Sequence, residues 1–522
     1  MATSSSLPLL PFLLLLLLLL TPLTISSTTI SYSISTSTTT TKACVIGGGI
    51  GGASVAHFLK QYTCTSSSSS CIDDIRVFER RAKVGGRMAT ITVSGDVFEA
   101  GASIIHPKNL HALRFAKLLG LNRKTSSSDE LKPTSKSNSS SSSSSWFGIW
   151  DGSHFVFKTL PPPSSSSVFK RKVYELLNSF LLFRRYGLSL LRMNRFVEKM
   201  LEKFMLYYSG FDSRPVFETV EEMLKWSGLY ELTQRTLEEE LADAGLNSQT
   251  ISELVTVITR INYGQSVSIS GLAGAVSLAG SDSGLWAVDG GNWQLAAGLL
   301  DNTNATLHLN EGIDSITDVG DYYVLKSTNG NQYNCEVTVV ATPLDELNIT
   351  FDPPISVPPR KLQHTYTTFI RGILDPMYFG LKSASEIPDL VGTLELSDIP
   401  FSSISVLKRY SESDATYKVF SRARLDDSLL DLIFSTRKET IRINWPAYPH
   451  YQVPELFAQI LLDGKHLYYI NSFESGASTV ETSAVAAENV ARLIISRFSV
   501  ASSNSSDIRM PTPYKEALRT EL

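Results

Sequence analysis

Three glycines near the amino end of the chain have the spacing of a phosphate-binding turn. Residues 42–52 read KACVIGGGIGG, so an apolar run is followed by Gly47, Gly49 and Gly52. The first glycine permits a tight turn, the second lets the backbone approach a pyrophosphate, and the third lets the next helix pack closely on its strand. A helix predicted over 53–61 would direct its N-terminal amides at the phosphates. We therefore predict a dinucleotide-binding βαβ unit with these cofactor-binding residues: Gly47, Gly49, Ile50, Gly51 and Gly52.

An acidic residue ends the second strand of this predicted unit. Residues 75–78 read IRVF and are followed by Glu79. A carboxylate in this position accepts hydrogen bonds from a ribose diol and disfavours a ribose that carries a 2′-phosphate. Glu79 is therefore a predicted ligand of an adenosine ribose.

A second glycine motif follows directly. Residues 79–87 read ERRAKVGGR, which resembles the second glycine motif of the amine oxidase and phytoene desaturase group of FAD enzymes. The resemblance implies that the cofactor is FAD, with Arg87 beside its phosphates or flavin, Gly86 giving it room and Arg80 also in contact. A structural turn, or NAD in place of FAD, is the alternative.

Three later segments resemble parts of the same group of enzymes. Residues 98–103 (FEAGAS) resemble the segment that passes close to the isoalloxazine ring, and 337–343 (VTVVATP) resemble the strand that returns to the nucleotide domain. Residues 467–481 resemble the final strand and helix start, although Phe473 replaces the usual glycine before the glutamate. The resemblance implies these further cofactor-binding residues: Gly101, Ala102, Ser103, Ala341, Thr342, Glu474 and Thr479.

These motifs are far apart in the chain, so the domain that they build must be discontinuous. The predicted fold class is α/β, with a Rossmann-like FAD-binding domain of the amine oxidase type and a mixed α+β substrate-binding domain. A chain of 522 residues, 43% of them hydrophobic, can bury such a core. The predicted organisation is a signal peptide over 1–27, the FAD-binding domain in 42–120, 301–350 and 461–500, the substrate domain in 121–300 (helices and Ser-rich insertions) and 351–460 (a sheet), and a tail over 501–522.

Several blocks, spread over the chain from residue 42 onward, resemble the prenylcysteine oxidase family. They are 84–87, 101–110, 262–266, 274–278, 281–292 and 445–451. The resemblance implies FAD-dependent oxidative cleavage of the thioether of farnesylcysteine or geranylgeranylcysteine, the compounds left when prenylated proteins are degraded. The products would be a prenyl aldehyde, cysteine and hydrogen peroxide, with oxygen as the acceptor. The cofactor would carry the chemistry, while the protein would hold the reacting carbon over the flavin and keep the site dry.

Four residues in these blocks are candidates for the reaction itself. His106 follows the Gly101 segment, and its imidazole titrates near neutrality, so it is the candidate for handling a proton near the flavin. A structural histidine before Pro107 is the alternative. Tyr263, Gln265 and Trp286 are candidate substrate-lining residues, with aromatic core packing and a buried amide as the alternative.

Two other functions fit parts of the pattern. A monoamine or polyamine oxidase would carry the same glycine motifs, but it should also have acidic or aromatic-cage residues for an ammonium group. Rab escort proteins and GDP dissociation inhibitors resemble this fold and handle prenyl chains, so a non-catalytic prenyl carrier is the second alternative. They lack a flavin and act in the cytosol.

Charge and helix patterns limit the partners. A net charge of −4 provides no basic surplus for a nucleic-acid backbone, and no obligate protein partner is indicated. Residues 186–208 mix leucines and aromatics with Lys, Arg and Glu, as in an amphipathic helix. Core packing is the favoured interpretation of its apolar stripe, and peripheral contact with a membrane surface is the alternative.

The amino-terminal residues indicate the secretory pathway. An apolar block over 9–20 is followed by small residues, as in a cleaved signal peptide, although a retained anchor is the alternative. The family resemblance points to the lysosome or to the vacuole of a plant-like cell. Four Asn-x-Ser/Thr sequons agree with this route, at Asn138, Asn304, Asn348 and Asn504.

The four cysteines lie in two different settings. Cys64 and Cys71 flank a serine run, where a disulfide could close a small surface loop in an oxidising compartment. Cys44 lies in an apolar strand pattern and Cys335 precedes another, so both are predicted to be buried thiols. No cysteine pattern suggests a metal site.

Overall fold

The computed structural model describes residues 41–63, 72, 74–124, 146–162, 168–208 and 214–502. The predicted signal peptide and most of the predicted tail lie outside these residues. So do Cys64, Cys71 and the sequons at Asn138 and Asn504.

The described residues form 18 strands in four sheets. In chain order they are β1 (Lys42–Ile46), β2 (Asp74–Glu79), β3 (Ala89–Val93), β4 (Asp96–Gly101), β5 (Phe147–Trp150), β6 (Phe155–Lys158), β7 (Thr306–Leu309), β8 (Ile313–Asp318), β9 (Tyr323–Ser327), β10 (Gln332–Cys335), β11 (Val337–Val340), β12 (Thr350–Asp352), β13 (Leu362–Leu374), β14 (Leu390–Thr393), β15 (Ser403–Arg409), β16 (Ala415–Ser421), β17 (Phe434–Pro449) and β18 (Leu467–Tyr469).

Helices connect and cover these sheets. They are α1 (Ile50–Thr63), α2 (Leu110–Leu118), α3 (Val168–Tyr186), α4 (Ser189–Phe204), α5 (Val220–Ser227), α6 (Leu237–Asp243), α7 (Ser248–Thr250), α8 (Thr256–Tyr263), α9 (Gly271–Ala279), α10 (Trp293–Thr303), α11 (Asp427–Ile433) and α12 (Val480–Ser502). Short 3₁₀ turns occupy Met205–Tyr208, Tyr230–Thr233, Leu344–Glu346, Met377–Phe379, Ala384–Glu386 and Ile470–Ser475, and a π-helical turn, Ile251–Val255, joins α7 to α8. Within these ranges no helix combines the length and apolar character needed to cross a membrane.

Five parallel strands build the nucleotide-binding sheet, in the order β18-β11-β1-β2-β7. All four residues of β11 and the last four of β1 are buried, because helices α1 and α12 pack together on one face and the four-stranded sheet β10-β9-β8-β12 packs on the other. Coverage on both faces explains why these strands are continuously apolar. The five strands come from three distant parts of the chain, so the predicted discontinuity is confirmed.

A seven-stranded mixed sheet forms the base of the second domain, in the order β17-β13-β16-β15-β14-β5-β6. Its neighbouring strands are antiparallel except for β14 and β5, which run parallel. Helix α8 packs against β14, and α9 packs against α4, α6 and α8. The predicted mixed α+β domain is therefore confirmed.

The amphipathic segment predicted over 186–208 is divided at its start. Gly187 adopts a left-handed conformation with φ of 59°, which ends α3 and allows α4 to begin at Ser189. Helix α4 buries one stripe, made of Met193, Val197, Met200 and Phe204. Core packing is thus the correct interpretation of the apolar stripe on this helix.

The prediction that Cys44 and Cys335 are buried thiols is wrong, because the two sulfurs form a disulfide. Both side chains are fully buried, as expected, and their Cα atoms lie 5.8 Å apart. Cys335 ends β10, in the four-stranded sheet that packs against β1, and its side chain lies in the same buried cluster as that of Cys44. The two cysteines are 291 residues apart, so no local pattern could have predicted that they lie close together in the fold.

Removing this disulfide should destabilise the fold. The double variant Cys44→Ala/Cys335→Ala loses a cross-link that closes a very long loop in the unfolded chain, so its free energy of unfolding should fall by about 2–5 kcal/mol. Urea unfolding of both proteins, with and without reductant, measures the change. Reductant should lower the stability of the wild type more than that of the variant, which isolates this bond from any bond between Cys64 and Cys71. Equal effects of reductant on the two proteins would contradict the assignment.

Candidate functional site

A cavity of about 790 Å³ lies where the two domains meet. Its walls come from the turns at the carboxyl ends of β1, β2 and β11, from the N-terminus of α12, from helices α4, α8 and α9, and from strands β13, β15, β16 and β17. The carboxyl edge of a parallel sheet is the usual place for a ligand in this class of fold. The volume lies within the range of small-molecule and cofactor sites.

Two glycine turns line one part of this cavity. The first carries Gly47 and Gly49, and the second carries Gly85 and Gly86 with positive φ angles of 117° and 60°. A Cβ atom on Gly47 would lie 2.6 Å from the carbonyl oxygen of Ala341, and one on Gly86 would lie 3.2 Å from the Cα of Gly49. Side chains are therefore excluded here, which leaves a backbone-lined cradle that fits the pyrophosphate of a dinucleotide.

The Glu79 carboxylate is fixed at the edge of this cradle. It is 6% exposed, and it accepts a hydrogen bond from the Gly48 N–H at Oε2 and from the Arg81 N–H at Oε1, each at 2.9 Å. Because Glu79 also lines the cavity at the end of β2, it has the position of a ribose acceptor.

Arg87 is held in the cavity wall by a buried ionic network. It pairs with Glu474 and donates from Nη1 to the carbonyl oxygen of Ala447 at 2.7 Å. Glu474 is also 3.4 Å from Arg360, which forms a second ion pair with Asp345 at 2.6 Å. Burial alone would raise the pKa of Glu474, but the charges of Arg87 and Arg360 outweigh it and hold that pKa below its usual value. Glu474 remains ionised and positions Arg87.

The structure brings most of the predicted cofactor-binding residues together. Those that line the cavity are Gly47, Gly49, Ile50, Gly51, Glu79, Arg80, Gly86, Arg87, Gly101, Ala102, Ser103, Ala341, Thr342 and Thr479. Gly52 and Glu474 lie behind this layer. A Cβ atom on Gly52 would lie 2.0 Å from the carbonyl oxygen of Gly47, so its role is the close packing of α1 on its strand.

The N-terminus of α12 forms a further part of the cavity wall. The Thr479 hydroxyl accepts a hydrogen bond from the Thr482 N–H at 2.9 Å, which makes Thr479 the N-cap of this helix. Residues 478–483 line the cavity. Their amide groups and the helix dipole provide a second favourable position for a negatively charged group.

His106 lines the cavity, but both of its ring nitrogens have partners. The Lys108 N–H donates to Nδ1 at 3.1 Å, and Nε2 lies 3.1 Å from a carboxylate oxygen of Asp282. A neutral ring in this setting carries its proton on Nε2 and has no lone pair free for substrate. The arrangement agrees with the structural alternative, and a role for His106 in proton transfer stays a prediction.

The three candidate substrate residues are in different positions. Tyr263 lines the cavity and makes edge contacts with Tyr448 and Tyr451, at centroid distances of 4.8 and 5.1 Å. Gln265 lies outside the lining, where its buried amide bonds the Pro449 carbonyl and the Tyr451 N–H. Trp286 also lies outside it, beside the guanidinium of Arg123. For Gln265 and Trp286 the structure shows packing roles.

Lys418 is a cavity residue that sequence reasoning missed. It lies on β16, is 5% exposed, and donates from Nζ to the Ser103 hydroxyl at 2.8 Å and to the Glu99 carbonyl at 3.1 Å. Burial lowers the pKa of the Lys418 ammonium to about 8, although the Glu99 carboxylate opposes this. Burial likewise raises the pKa of Glu99 to about 7, with the Asn292 N–H and Lys418 acting against it. A buried amine that titrates near neutrality is typical of a functional site.

The signal for Lys418 is present in the sequence. Strand β16 reads ATYKVFS, which places a lysine between Tyr417 and Val419 in a run typical of a strand. A lysine is almost never fully buried without a reason. Arg360, by contrast, lies in an irregular segment before β13, and its pairing with Glu474 could not be found from the sequence pattern.

The remaining cavity wall is largely apolar. Helices α4, α8 and α9 face the seven-stranded sheet across this part of the cavity. The large apolar side chains that line it are Met200, Leu201, Phe204, Ile261, Val276, Leu285, Leu362, Leu407, Phe420, Trp445 and Tyr448. This wall suits a long hydrocarbon chain. In the part of the chain that the structure describes, no group of three His, Cys, Asp or Glu side chains could hold a metal ion.

Comparison with protein families gives two matches. A family model described as prenylcysteine lyase matches residues 169–507, and one described as an NAD(P)-binding Rossmann-like domain matches residues 45–119. The chain is 56% identical to farnesylcysteine lyase of Arabidopsis thaliana over 463 residues, which cover 89% of this chain and 90% of that protein. It is 34% identical to human prenylcysteine oxidase 1 over 513 residues, which cover 92% and 93% of the two chains.

Two amine oxidases of known structure have a similar fold. A putrescine oxidase double mutant has a TM-score of 0.55 at 13% identity, and cyclohexylamine oxidase from Brevibacterium oxydans IH-35A has a TM-score of 0.55 at 16% identity. Each match covers 88% of this chain and 99% of the other. The predicted amine oxidase type of fold is confirmed.

Replacing Lys418 with methionine should change how stability depends on pH. Between pH 8 and the usual lysine pKa of about 10.4, the unfolded chain holds more protons at this site than the folded chain, so its contribution to stability rises with pH. Lys418→Met lacks this contribution. The stability of the variant relative to the wild type should therefore fall by a few kcal/mol between pH 7 and pH 10.

Urea unfolding at several pH values measures this difference. Lys326→Met, which changes an exposed lysine of β9, is the matched control and should keep a constant difference from the wild type. If Lys418→Met also keeps a constant difference across this pH range, Lys418 is not a buried cation in the folded protein.

Proposed function

Because the chain belongs to the prenylcysteine lyase family, we propose that it binds FAD and oxidatively cleaves the thioether of a prenylcysteine. The observation that carries this proposal is that the glycine cradle and the apolar helical wall open into one cavity. The cradle suits the dinucleotide part of the cofactor, and the apolar wall suits an isoprenoid tail. Binding both in one cavity places the tail of the substrate beside the cofactor.

The proposed reaction consumes prenylcysteine, water and oxygen, and it yields a prenyl aldehyde, cysteine and hydrogen peroxide. The isoprenoid carbon bonded to sulfur loses a hydride, and water adds to the resulting cation to give a hemithioacetal. Collapse of the hemithioacetal breaks the carbon–sulfur bond and returns a proton to the cysteine sulfur. A bound FAD, held by the glycine turns and Glu79, would supply the acceptor for the hydride, and oxygen would take up the two electrons.

The residues of the chain have three tasks in this scheme. Glu79 and the glycine turns hold the dinucleotide. Arg87 lies beside the dinucleotide and is held in place by its ion pair with Glu474. The helical wall keeps bulk water away from the reacting carbon. The Nζ of Lys418 can take up or release a proton near neutral pH at the cavity wall.

The structure supports the alternatives less well. For an amine oxidase, the likeness is one of fold, at 13% and 16% identity, whereas the chain is 56% identical to a farnesylcysteine lyase over 89% of its length. A non-catalytic prenyl carrier needs no glycine cradle, and this chain retains both glycine turns with Glu79 at their edge.

Anaerobic mixing with farnesylcysteine tests the proposed reaction. The purified protein should be yellow, and farnesylcysteine should bleach its flavin absorbance near 450 nm, with peroxide appearing in equal amount to the aldehyde once air is admitted. Spermine should leave the absorbance unchanged. A colourless protein would indicate the carrier, and bleaching by spermine but not by farnesylcysteine would indicate an amine oxidase.

Gly49→Val is the matched control for this experiment. The nearest atom to a Cβ on Gly49 is 3.7 Å away, so the variant can fold, but its side chain obstructs the cradle between the two glycine turns. It should be purified without flavin and should show no turnover, while its unfolding midpoint should match that of wild-type protein stripped of cofactor.

We also propose that the chain enters the secretory pathway and acts in the lysosome or, in a plant-like cell, the vacuole. The apolar block over 9–20 supports this location. A disulfide between Cys44 and Cys335 is typical of an oxidising compartment. The sequons at Asn304, which ends α10, and at Asn348 are both exposed and accessible to glycosylation.

Peptide mass spectrometry of the protein from a eukaryotic cell tests this location. After enzymatic deglycosylation, Asn304 and Asn348 should be found as aspartate, and the first peptide should start after the predicted signal over 1–27. The variants Asn304→Gln and Asn348→Gln should each migrate as if one glycan were lost. An intact leader together with unmodified asparagines would contradict a secretory route.

A further inference from the structure

Helix α3 carries an apolar row that faces away from the protein. Its most exposed members are Phe169 at 76%, Leu176 at 70% and Phe180 at 59%. Eight of the 21 large apolar side chains that are exposed in the described parts of the chain fall within the 23 residues from 169 to 191. Two of the eight, Leu188 and Leu191, lie in the following turn and at the start of α4. The other six, here called the α3 face, are Phe169, Val173, Leu176, Leu177, Phe180 and Phe183. Such a concentration marks an interaction surface and not scattered exposure.

The opposite side of α3 is firmly docked. Tyr174 donates from its hydroxyl to the Leu160 carbonyl at 2.8 Å, and Asn178 accepts from the Leu160 N–H at 2.8 Å. Arg185 forms a two-pronged ion pair with Glu253 at 2.7 and 2.8 Å. Because these contacts fix the rotation of the helix, the α3 face is held outward.

The charges around the α3 face indicate what it binds. Residues 168–195 contain seven Lys or Arg and a single acidic residue, Glu175, within a chain whose net charge is −4. The exposed basic side chains of this segment are Lys170, Arg171, Lys172, Arg184, Arg192 and Arg195. An apolar row flanked by Lys and Arg is the pattern of a helix that lies in the interface of an anionic membrane.

We propose that the α3 face docks this protein on the surface of an anionic lipid bilayer. The membrane contact predicted for 186–208 falls on α4, whose apolar stripe is buried, whereas the exposed stripe lies on α3, the helix before it. The apolar side chains of α3 would enter the boundary between headgroups and acyl chains, and the flanking Lys and Arg would contact the lipid phosphates.

The α3 face is connected through the next helix to the wall of the cavity. Helix α4 follows α3 after the turn at Gly187, and its residues Met200, Leu201 and Phe204 form part of the apolar cavity wall. One helical hairpin therefore carries both the membrane surface and the wall of the substrate cavity. The purpose of docking, which rests on the proposed function, is to receive a prenylated substrate that partitions into lipid.

Vesicle flotation with the purified holoprotein tests the proposal. The wild type should float with vesicles of phosphatidylcholine containing 30% phosphatidylserine, should bind pure phosphatidylcholine at least tenfold more weakly, and should be released by high salt. Leu176→Gln/Phe180→Gln should lower binding to the anionic vesicles at least tenfold. The matched control is Met377→Gln/Leu432→Gln, which removes two side chains that are 74% and 62% exposed elsewhere on the surface and should bind as the wild type does.

Three results would overturn the proposal. They are a wild type that does not bind the anionic vesicles, equal binding by Leu176→Gln/Phe180→Gln, and a soluble dimer that this variant converts to a monomer without any vesicle binding. The last would mean that a second copy covers the α3 face. Turnover of dissolved farnesylcysteine should be the same in the wild type and the variant. If the proposed reaction is wrong, neither protein will turn over farnesylcysteine, and this result is independent of vesicle binding.

Discussion

The fold depends on the close approach of backbone to backbone at the carboxyl edge of the parallel sheet. Gly49 and Gly85 form a bridge between two turns, and the Gly85 N–H donates to the Gly48 carbonyl at 2.9 Å. These turns present backbone in place of side chains to the cavity, so a phosphate group can be bound by amides and by the N-termini of α1 and α12. The strands that bring these turns together come from three distant segments, and the Cys44–Cys335 disulfide links two of them.

Charged side chains lie on one side of the cavity at this edge, and apolar side chains lie on the other. On the cofactor side, Glu474 is buried between Arg87 and Arg360, and each carboxylate oxygen has a cationic or hydrogen-bonding partner. Such a network keeps its geometry because breaking it would leave a buried charge uncompensated. On the substrate side, helices α4, α8 and α9 present mainly apolar side chains. Lys418 stands at the boundary, where its amine lies beside the Ser103 segment.

Local patterns predicted the cradle well and the rest of the site only in part. The glycine spacing and Glu79 could be found from the sequence, because turns and strand ends are set by residues close together in the chain. Lys418 has a local signal within its strand, but its contacts with Ser103 and Glu99 could not be found from the sequence. The same holds for the pairing of Arg360 and for the disulfide, because each depends on which segments become neighbours in the fold. Gln265 and Trp286 belong to the blocks that resemble the family, but the structure gives them packing roles. A resemblance to the family identifies residues such as Gln265 and Trp286, but only the fold shows whether their side chains line the cavity.

The central claim is that one cavity holds the dinucleotide in the glycine cradle and the isoprenoid tail against the helical wall. A crystal structure of the reduced holoprotein with farnesylcysteine bound, grown without oxygen, tests it most directly. We expect the dinucleotide to lie against the turns that carry Gly49 and Gly86, with its adenosine ribose on Glu79, and the farnesyl chain to contact Met200, Phe204 and Tyr448. A farnesyl chain bound outside this wall, or a dinucleotide bound away from the two glycine turns, would contradict the claim.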